Sequence, residues 1–205
     1  HNTSWGFLCP AETPEGQSVG IVKNLSYMTN LTIPSLSMPL YEYVLPFIKL
    51  IEDITPDQVN DCVKVIINGA WYGITNDPIK LYKEMKNYKY SGIINIYTSI
   101  VFDISKLEIR ICNDGGRLCR PLLKVSNGKM LLNSEIISKV KNNEIKWENL
   151  FTNFDNSESI LEYIDAEEQS FCLIASDLND LQSKNKYTHC EIHPSTIFGV
   201  IASCI

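Results

Sequence analysis

An Asn-Gly pair at 68–69 separates two β-rich runs, Val-Lys-Val-Ile-Ile at 63–67 and Ala-Trp-Tyr-Gly-Ile at 70–74. Both central residues of a type I′ turn need positive φ, which Asn-Gly adopts at little cost, so the pair predicts a tight hairpin. Downstream, Asn76 or Asp77 followed by Pro78 predicts a helix N-terminus. Ile79, Leu81, Tyr82 and Met85 form its apolar stripe, and Gly92 ends it. Residues 99–104, 107–112 and 118–125 read as strands, with Asp114-Gly115-Gly116 turning the last two into a hairpin. A helix is expected over 39–51, with Pro46 against it. Asn133 or Ser134 caps a short helix over 135–141. Short helices are expected over 147–154 and 160–164, a strand over 171–175 and a polar loop over 177–186. Residues 1–33 carry Gly6, Pro10, Pro14, Gly16 and Gly20 without helical periodicity and read as loop. The fold class is therefore α+β: small mixed modules with antiparallel hairpins and short helices.

At 205 residues, the chain has room for one ordinary domain or for two or three small modules. Hydrophobic residues at 44% and charged residues at 20% fit a folded chain and exclude a disordered one. No apolar run approaches the roughly 18–20 residues of a membrane helix. A net charge of −6 argues against a free-standing nucleic-acid binder. The seven cysteines are dispersed and form no C-x-x-C pair, a pattern of reduced thiols in a reducing compartment. The polar opening His1-Asn2-Thr3-Ser4 does not read as a signal peptide, so three N-glycosylation sequons read as chance. The first residue is not Met, and the apolar run 197–205 reaches the last residue, so a piece of a longer protein is expected.

Four segments carry candidate chemistry. In Cys9-Pro10-Ala11-Glu12-Thr13-Pro14-Glu15-Gly16-Gln17, prolines and glycine stiffen a loop with polar side chains. Glu12 and Glu15 could be an acid/base pair or solvated surface. On a strand, His189, Glu191 and His193 would share one face, a plausible set for zinc, manganese or iron, or structural hydrogen-bonders. Arg117 and Arg120 are two of the chain's three arginines. On an extended strand they face opposite sides, which suits an ion pair for at least one. The acidic run Asp165-Ala166-Glu167-Glu168 could bind a cation or be a solvated turn.

These segments also carry a resemblance. Residues 1–25, HNTSWGFLCPAETPEGQSVGIVKNL, resemble the HxxHWGxxCPAETPEGQxxGLVKNL pattern of the second-largest (β-like) subunit of multisubunit DNA-directed RNA polymerases. The likeness is to the archaeal and eukaryotic branch; Ser4 stands where a histidine is usual and Ile21 replaces leucine. In order, NGAWYG at 68–73, DGGRLCRPL at 114–122, EYIDAEE at 162–168 and YTHCEIHPS at 187–195 are similar to further motifs of that family. Five collinear motifs thus run from one end of the chain to the other.

The resemblance implies the end of the fork region (1–33), the external 1 region (34–125), the external 2 region (126–186) and the start of the hybrid-binding region (187–205). It implies an active-centre, RNA-proximal loop made of Glu12, Pro14, Glu15, Gly16 and Gln17, and structural roles for Arg117, Arg120, Glu191 and His193. No residue here would be directly catalytic and no metal or cofactor would be bound by this chain; Mg2+ would sit on the largest subunit. Implied partners are the largest subunit, the other polymerase subunits, template DNA and nascent RNA, with no membrane. The implied location is the nucleus, or host cytoplasm or virion for a viral enzyme, and the Ile-, Asn-, Lys- and Tyr-rich composition leans toward a viral or divergent eukaryotic source. The alternatives are a stand-alone, non-catalytic interaction module derived from such a subunit, and a small metalloprotein built on His189, Glu191 and His193.

Overall fold

The computed structural model describes residues 1–58, 62–154, 158–182 and 185–204. The elements are β1 (Asn30–Leu31), α1 (Met38–Val44), β2 (Lys49–Leu50), β3 (Val63–Ile67), β4 (Ala70–Thr75), α2 (Pro78–Tyr90), β5 (Ser99–Asp103) and β6 (Glu108–Cys112). They continue with β7 (Leu118–Ser126), β8 (Lys129–Met130), α3 (Ser134–Lys141), β9 (Leu161–Asp165), α4 (Ala166–Gln169), β10 (Ile174–Ala175) and β11 (His189–Cys190). The chain divides into two compact units. One unit, the inner one in sequence only, runs from Thr32 to Gly116; the other, outer in sequence, combines His1–Leu31 with the chain from Arg117 onward.

The inner unit is a sheet of order β2-β4-β3-β6-β5 covered by α1 and α2. The β3–β4 hairpin forms on the Asn-Gly pair, with φ of 48° at Asn68 and 81° at Gly69, as a type I′ turn needs. Alternation along β3 sends Val63, Val65 and Ile67 to the core, where they meet Leu40 and Val44 of α1 and Leu81 and Met85 of α2. Asp77 caps α2, its carboxylate accepting from the Lys80 N–H at 3.2 Å.

Two segments depart from the pattern their sequence predicts. The helix expected over 39–51 ends at Val44 and tightens to a 3₁₀ turn, Leu45–Phe47. Pro46 has no N–H to continue the ladder, and the chain turns into β2 instead. The expected 107–112/118–125 hairpin does not form. β6 is parallel to β3 on one edge and antiparallel to β5 on the other, so it has no edge left for β7. The Asp114-Gly115-Gly116 turn instead closes the inner unit: the Gly116 N–H donates to the Thr32 carbonyl at 2.9 Å. Buried Asn113 ties the same neck, donating from Nδ2 to the Ser35 and Leu36 carbonyls at 3.3 and 3.2 Å.

The outer unit is organised on β7. β9 lies antiparallel along one stretch of it, pairing Arg120 with Ile164 and Leu122 with Glu162. β1 pairs at Leu118 and Cys119, β11 at Leu123 and Lys124, and β8 folds back on Val125 and Ser126. β10 adds to β11 in parallel. The 160–164 segment, expected as a helix, is β9: all five of its residues are buried, as in a strand covered on both faces. Such a run carries no period to separate strand from helix. Of 171–175 only β10 is strand, because the Phe171 and Cys172 amides donate to the Glu168 and Gln169 carbonyls in the turn that leaves α4. The 147–154 segment is a 3₁₀ turn, Trp147–Phe151, whose Phe151 ring stacks on Tyr163 at 4.3 Å. In the 177–186 loop, Leu178–Gln182 form a 3₁₀ turn, while 183 and 184 lie outside the described residues, as does 205 in the 197–205 run.

Ile164 is fully buried in β9. Ile164→Ala is expected to cost about 2–5 kcal/mol in chemical denaturation, whereas the exposed Ile137→Ala is expected to cost about 0.5 kcal/mol or less.

Candidate functional site

The CPAETPEGQ segment forms a loop on a short antiparallel base. Leu8 bridges Leu25, the Cys9 N–H donates to the Asn24 carbonyl at 2.8 Å, and the Ser26 N–H donates to the Phe7 carbonyl at 3.0 Å. The tip is a 3₁₀ turn, Gly16–Ser18, which Glu15 enters in extended conformation. Gly16 and Gly20 hold φ of 84° and 73°, a region costly for residues with a Cβ. A cleft of about 560 Å³ lies against the loop, with Trp5, Phe7, Val19 and Lys23 among its lining.

The five loop residues differ in what they touch. Glu12 is half-buried, and its Oε2 accepts from the Val200 N–H at 3.3 Å. Its carbonyl accepts from Asn24 Nδ2 at 3.2 Å. Gly199 packs so closely that an added Cβ would lie 2.5 Å from Glu12 Oε2 and 3.0 Å from the Leu25 carbonyl oxygen. Glu12 is therefore a tie between the loop and the 199–200 turn. Pro14 is half-buried, and Glu15, Gly16 and Gln17 are exposed. No hydrogen bond joins Glu12 to Glu15 among the described residues, and the side chains of Glu15 and Gln17 make none at all there. At the loop's base, burial opposes the Cys9 thiolate, but the amides of Gly199, Ala11 and Glu12 outweigh it and lower the thiol's pKa below its ordinary value.

The second set of residues forms the supporting frame. Arg120 is 3% exposed on β7. Its Nη1 donates to both carboxylate oxygens of Glu191 at 2.8 and 2.7 Å, and its Nε donates to Gln169 Oε1 at 2.9 Å. The guanidinium carbon lies 5.6 Å from the Phe7 ring centroid. Gly6 leaves room for it: a Cβ there would come within 2.4 Å of Arg120 Cζ. Gln169 in turn donates from Nε2 to the Trp5 carbonyl at 2.9 Å. Arg117 pairs with Asp165 at 2.8 Å. The other Asp165 oxygen accepts from the Glu167 and Glu168 amides and caps α4, so this acidic run begins a helix.

His189, Glu191 and His193 do not share a strand face, because β11 ends at Cys190. His189 Nε2 lies 3.3 Å from Glu162 Oε2, Glu191 is engaged with Arg120, and exposed His193 places Nδ1 2.6 Å from Ser195 Oγ and caps the following turn. Among the described residues, no group of three or more His, Cys, Asp or Glu side chains is placed to hold a metal ion. Sequence reasoning missed Thr13, Glu162, Gln169 and Gly199. Glu162 and Gln169 act across many residues of sequence, where no local pattern marks them.

Three family models match in chain order. They are RNA polymerase Rpb2, domain 3, over residues 1–31; domain 4 over 65–126; and domain 5 over 147–194. The chain belongs to the family of the second-largest subunit of DNA-directed RNA polymerase. It is 43% identical over 214 residues to "DNA-directed RNA polymerase II subunit RPB2" of Encephalitozoon cuniculi, with 100% of this chain and 18% of that protein covered. It is 37% identical over 219 residues to "DNA-directed RNA polymerase II subunit 2" of Arabidopsis thaliana, with coverages of 100% and 18%. It is 32% identical over 237 residues to "DNA-directed RNA polymerase subunit 2" of Acanthamoeba polyphaga mimivirus, with coverages of 100% and 19%. The chain thus spans less than a fifth of the length of these relatives.

The His189–Glu162 pair makes a pH prediction. Burial disfavours the imidazolium, but the Cys172 sulfur and the Glu162 carboxylate outweigh it and raise the His189 pKa to about 9. A raised folded-state pKa stabilises the fold fully below the unfolded value near 6.5, and that contribution is lost as pH climbs through 9. Denaturation of the wild-type chain is expected to show a loss on the order of 3 kcal/mol between those limits. His189→Gln is expected to flatten that segment of the profile; an unchanged slope would refute the assignment.

Proposed function

We propose that this chain serves DNA-templated RNA synthesis as part of the second-largest polymerase subunit, presenting the Glu12–Gln17 loop at the active centre. The observation that supports this reading most is the division of labour among its polar groups. Glu12, Arg117, Arg120 and Glu191 are committed to holding the fold, whereas the exposed Glu15 and Gln17 side chains at the loop tip are free. A neutral amide such as Gln17 can donate to a ribose or phosphate of the RNA 3′ end without the repulsion a carboxylate would meet. Glu15 acts on mobile elements of the enzyme and so on elongation rate. Pro14 and Gly16 shape the loop, and the 1–33, 34–125, 126–186 and 187–205 segments are the fork end, external 1, external 2 and start of the hybrid-binding region.

Nucleotidyl transfer in such an enzyme uses bound metal ions. In this reading the metal ligands lie outside this chain: Glu12 already accepts from a backbone amide, and among the described residues no group of three or more His, Cys, Asp or Glu is placed to hold an ion. In this reading Mg2+ stays on the largest subunit, and the isolated chain does no chemistry. Exposed Val19, Ile21, Val22, Leu25 and Tyr27 around the loop support a protein-facing surface, with the largest and other polymerase subunits as partners. Template DNA and nascent RNA complete the set. No described helix is long and apolar enough to cross a membrane. The proposed compartment is reducing, in the nucleus or in viral cytoplasm or virion, in keeping with seven free cysteines.

In a polymerase carrying this segment, Gln17→Ala is expected to change elongation rate or misincorporation roughly fivefold, the worth of one hydrogen bond near 1 kcal/mol. Assembly is expected to be unchanged, since the Gln17 side chain is exposed and makes no hydrogen bond among the described residues. Wild-type elongation and error rates together would sink the active-centre reading and favour a non-catalytic interaction module.

A further inference from the structure

We propose that Thr13 is a positioning residue whose hydroxyl fixes the loop tip in the conformation that presents Glu15 and Gln17, an inference that rests on the active-centre reading of that loop. The loop between the Cys9 and Asn24 rungs is long for a connection without regular structure, and its tip must be held if it is to act at a fixed place. Bonds inside the tip are local: the Val19 N–H reaches the Gly16 carbonyl at 3.2 Å, and the Ile21 N–H reaches the Ser18 carbonyl at 3.1 Å. They shape the turn without tying it to the other limb. The cross-limb tie nearest the tip is Thr13. Its Oγ1 accepts from the Gly20 N–H at 2.9 Å and donates to the Val22 carbonyl at 3.4 Å. One rung below, Asn24 Nδ2 donates to the Glu12 carbonyl and marks the end of the well-paired base.

The residue type suits the task. A β-branched side chain has few χ1 choices, so the hydroxyl direction is set with little loss of freedom. The following Pro14 restricts the Thr13 backbone to extended conformations, which fixes the approach of the side chain to the opposite limb. Gly20, held at φ 73°, brings its N–H to the hydroxyl where a residue with a Cβ would be strained. Thr13 itself is exposed, so substitution there removes the tie without opening the core.

The test pairs a structural and a kinetic readout. Amide exchange is followed in the full chain, and RNA elongation in a polymerase carrying this segment, for Thr13→Val, Thr13→Ser and Gln17→Ala. Thr13→Val keeps the shape and loses the hydroxyl; the Gly20 amide is expected to exchange roughly fivefold faster. Elongation is expected to shift by a similar factor, and Thr13→Ser is expected to keep both near wild type. Unchanged Gly20 exchange in Thr13→Val overturns the proposal, as does a Thr13→Ser variant that behaves like Thr13→Val. Faster exchange with normal elongation, while Gln17→Ala alters elongation, overturns the positioning role and leaves the active-centre reading standing. Faster exchange with normal elongation in both Thr13→Val and Gln17→Ala overturns the active-centre reading and the positioning role with it.

Discussion

A guanidinium almost wholly removed from water is tolerable only where its charge is met, and in the outer unit Glu191 meets that of Arg120 with both carboxylate oxygens. Gln169 takes Nε, and the Phe7 ring lies against the cation. These partners come from the first residues of the chain, from α4 and from the segment after β11. One buried charge therefore sets the mutual positions of stretches that are far apart in sequence. Gly6 is part of the same arrangement, since a side chain there would occupy the guanidinium's space.

From that pair the loop follows in short steps. Phe7 is held against Arg120, and its carbonyl accepts from the Ser26 amide. Cys9 pairs with Asn24, and the base of the loop is set. Glu12 anchors one side to the 199–200 turn, and Thr13 closes the neck. What remains free is the tip with Glu15 and Gln17. The polar residues of the segment thus separate into those that make the fold and those it presents. An acid/base pair of Glu12 with Glu15 has little support in such an arrangement, because Glu12 is already a structural acceptor.

How much of this was legible in the sequence depended on range. The β3–β4 hairpin and α2 could be read because Asn68-Gly69 and Asp77-Pro78 are local instructions that need no tertiary partner. β9 reads as a helix in the sequence because its polar Glu162 and Asp165 are buried along with Leu161, Tyr163 and Ile164, so the segment shows no regular alternation of apolar and polar positions to mark a strand. The sequence points to a β6–β7 hairpin because Asp114-Gly115-Gly116 is a true turn, but β6 is paired on both edges by β3 and β5, a tertiary fact the turn does not carry. The motifs that carried the family resemblance were plain in the sequence, and the three domain models match in the same order. The partners within them were not: Arg120 and Glu191 stand 71 residues apart, and nothing in either motif names the other. Thr13 lay unremarked because a hydroxyl bonded to backbone has no sequence pattern of its own.

The central claim, that the buried Arg120–Glu191 pair is a single unit on which the loop-bearing part of the fold depends, is tested most directly by a double-mutant cycle. Equilibrium unfolding would be measured for Arg120→Met, Glu191→Leu and the two together. Each single change strands a buried charge and is predicted to cost about 3–5 kcal/mol, while the double change removes both charges and is predicted to cost well below the sum, with a coupling of at least about 2 kcal/mol. Costs that add within about 0.5 kcal/mol would show that the two residues stabilise the fold independently and would contradict the account.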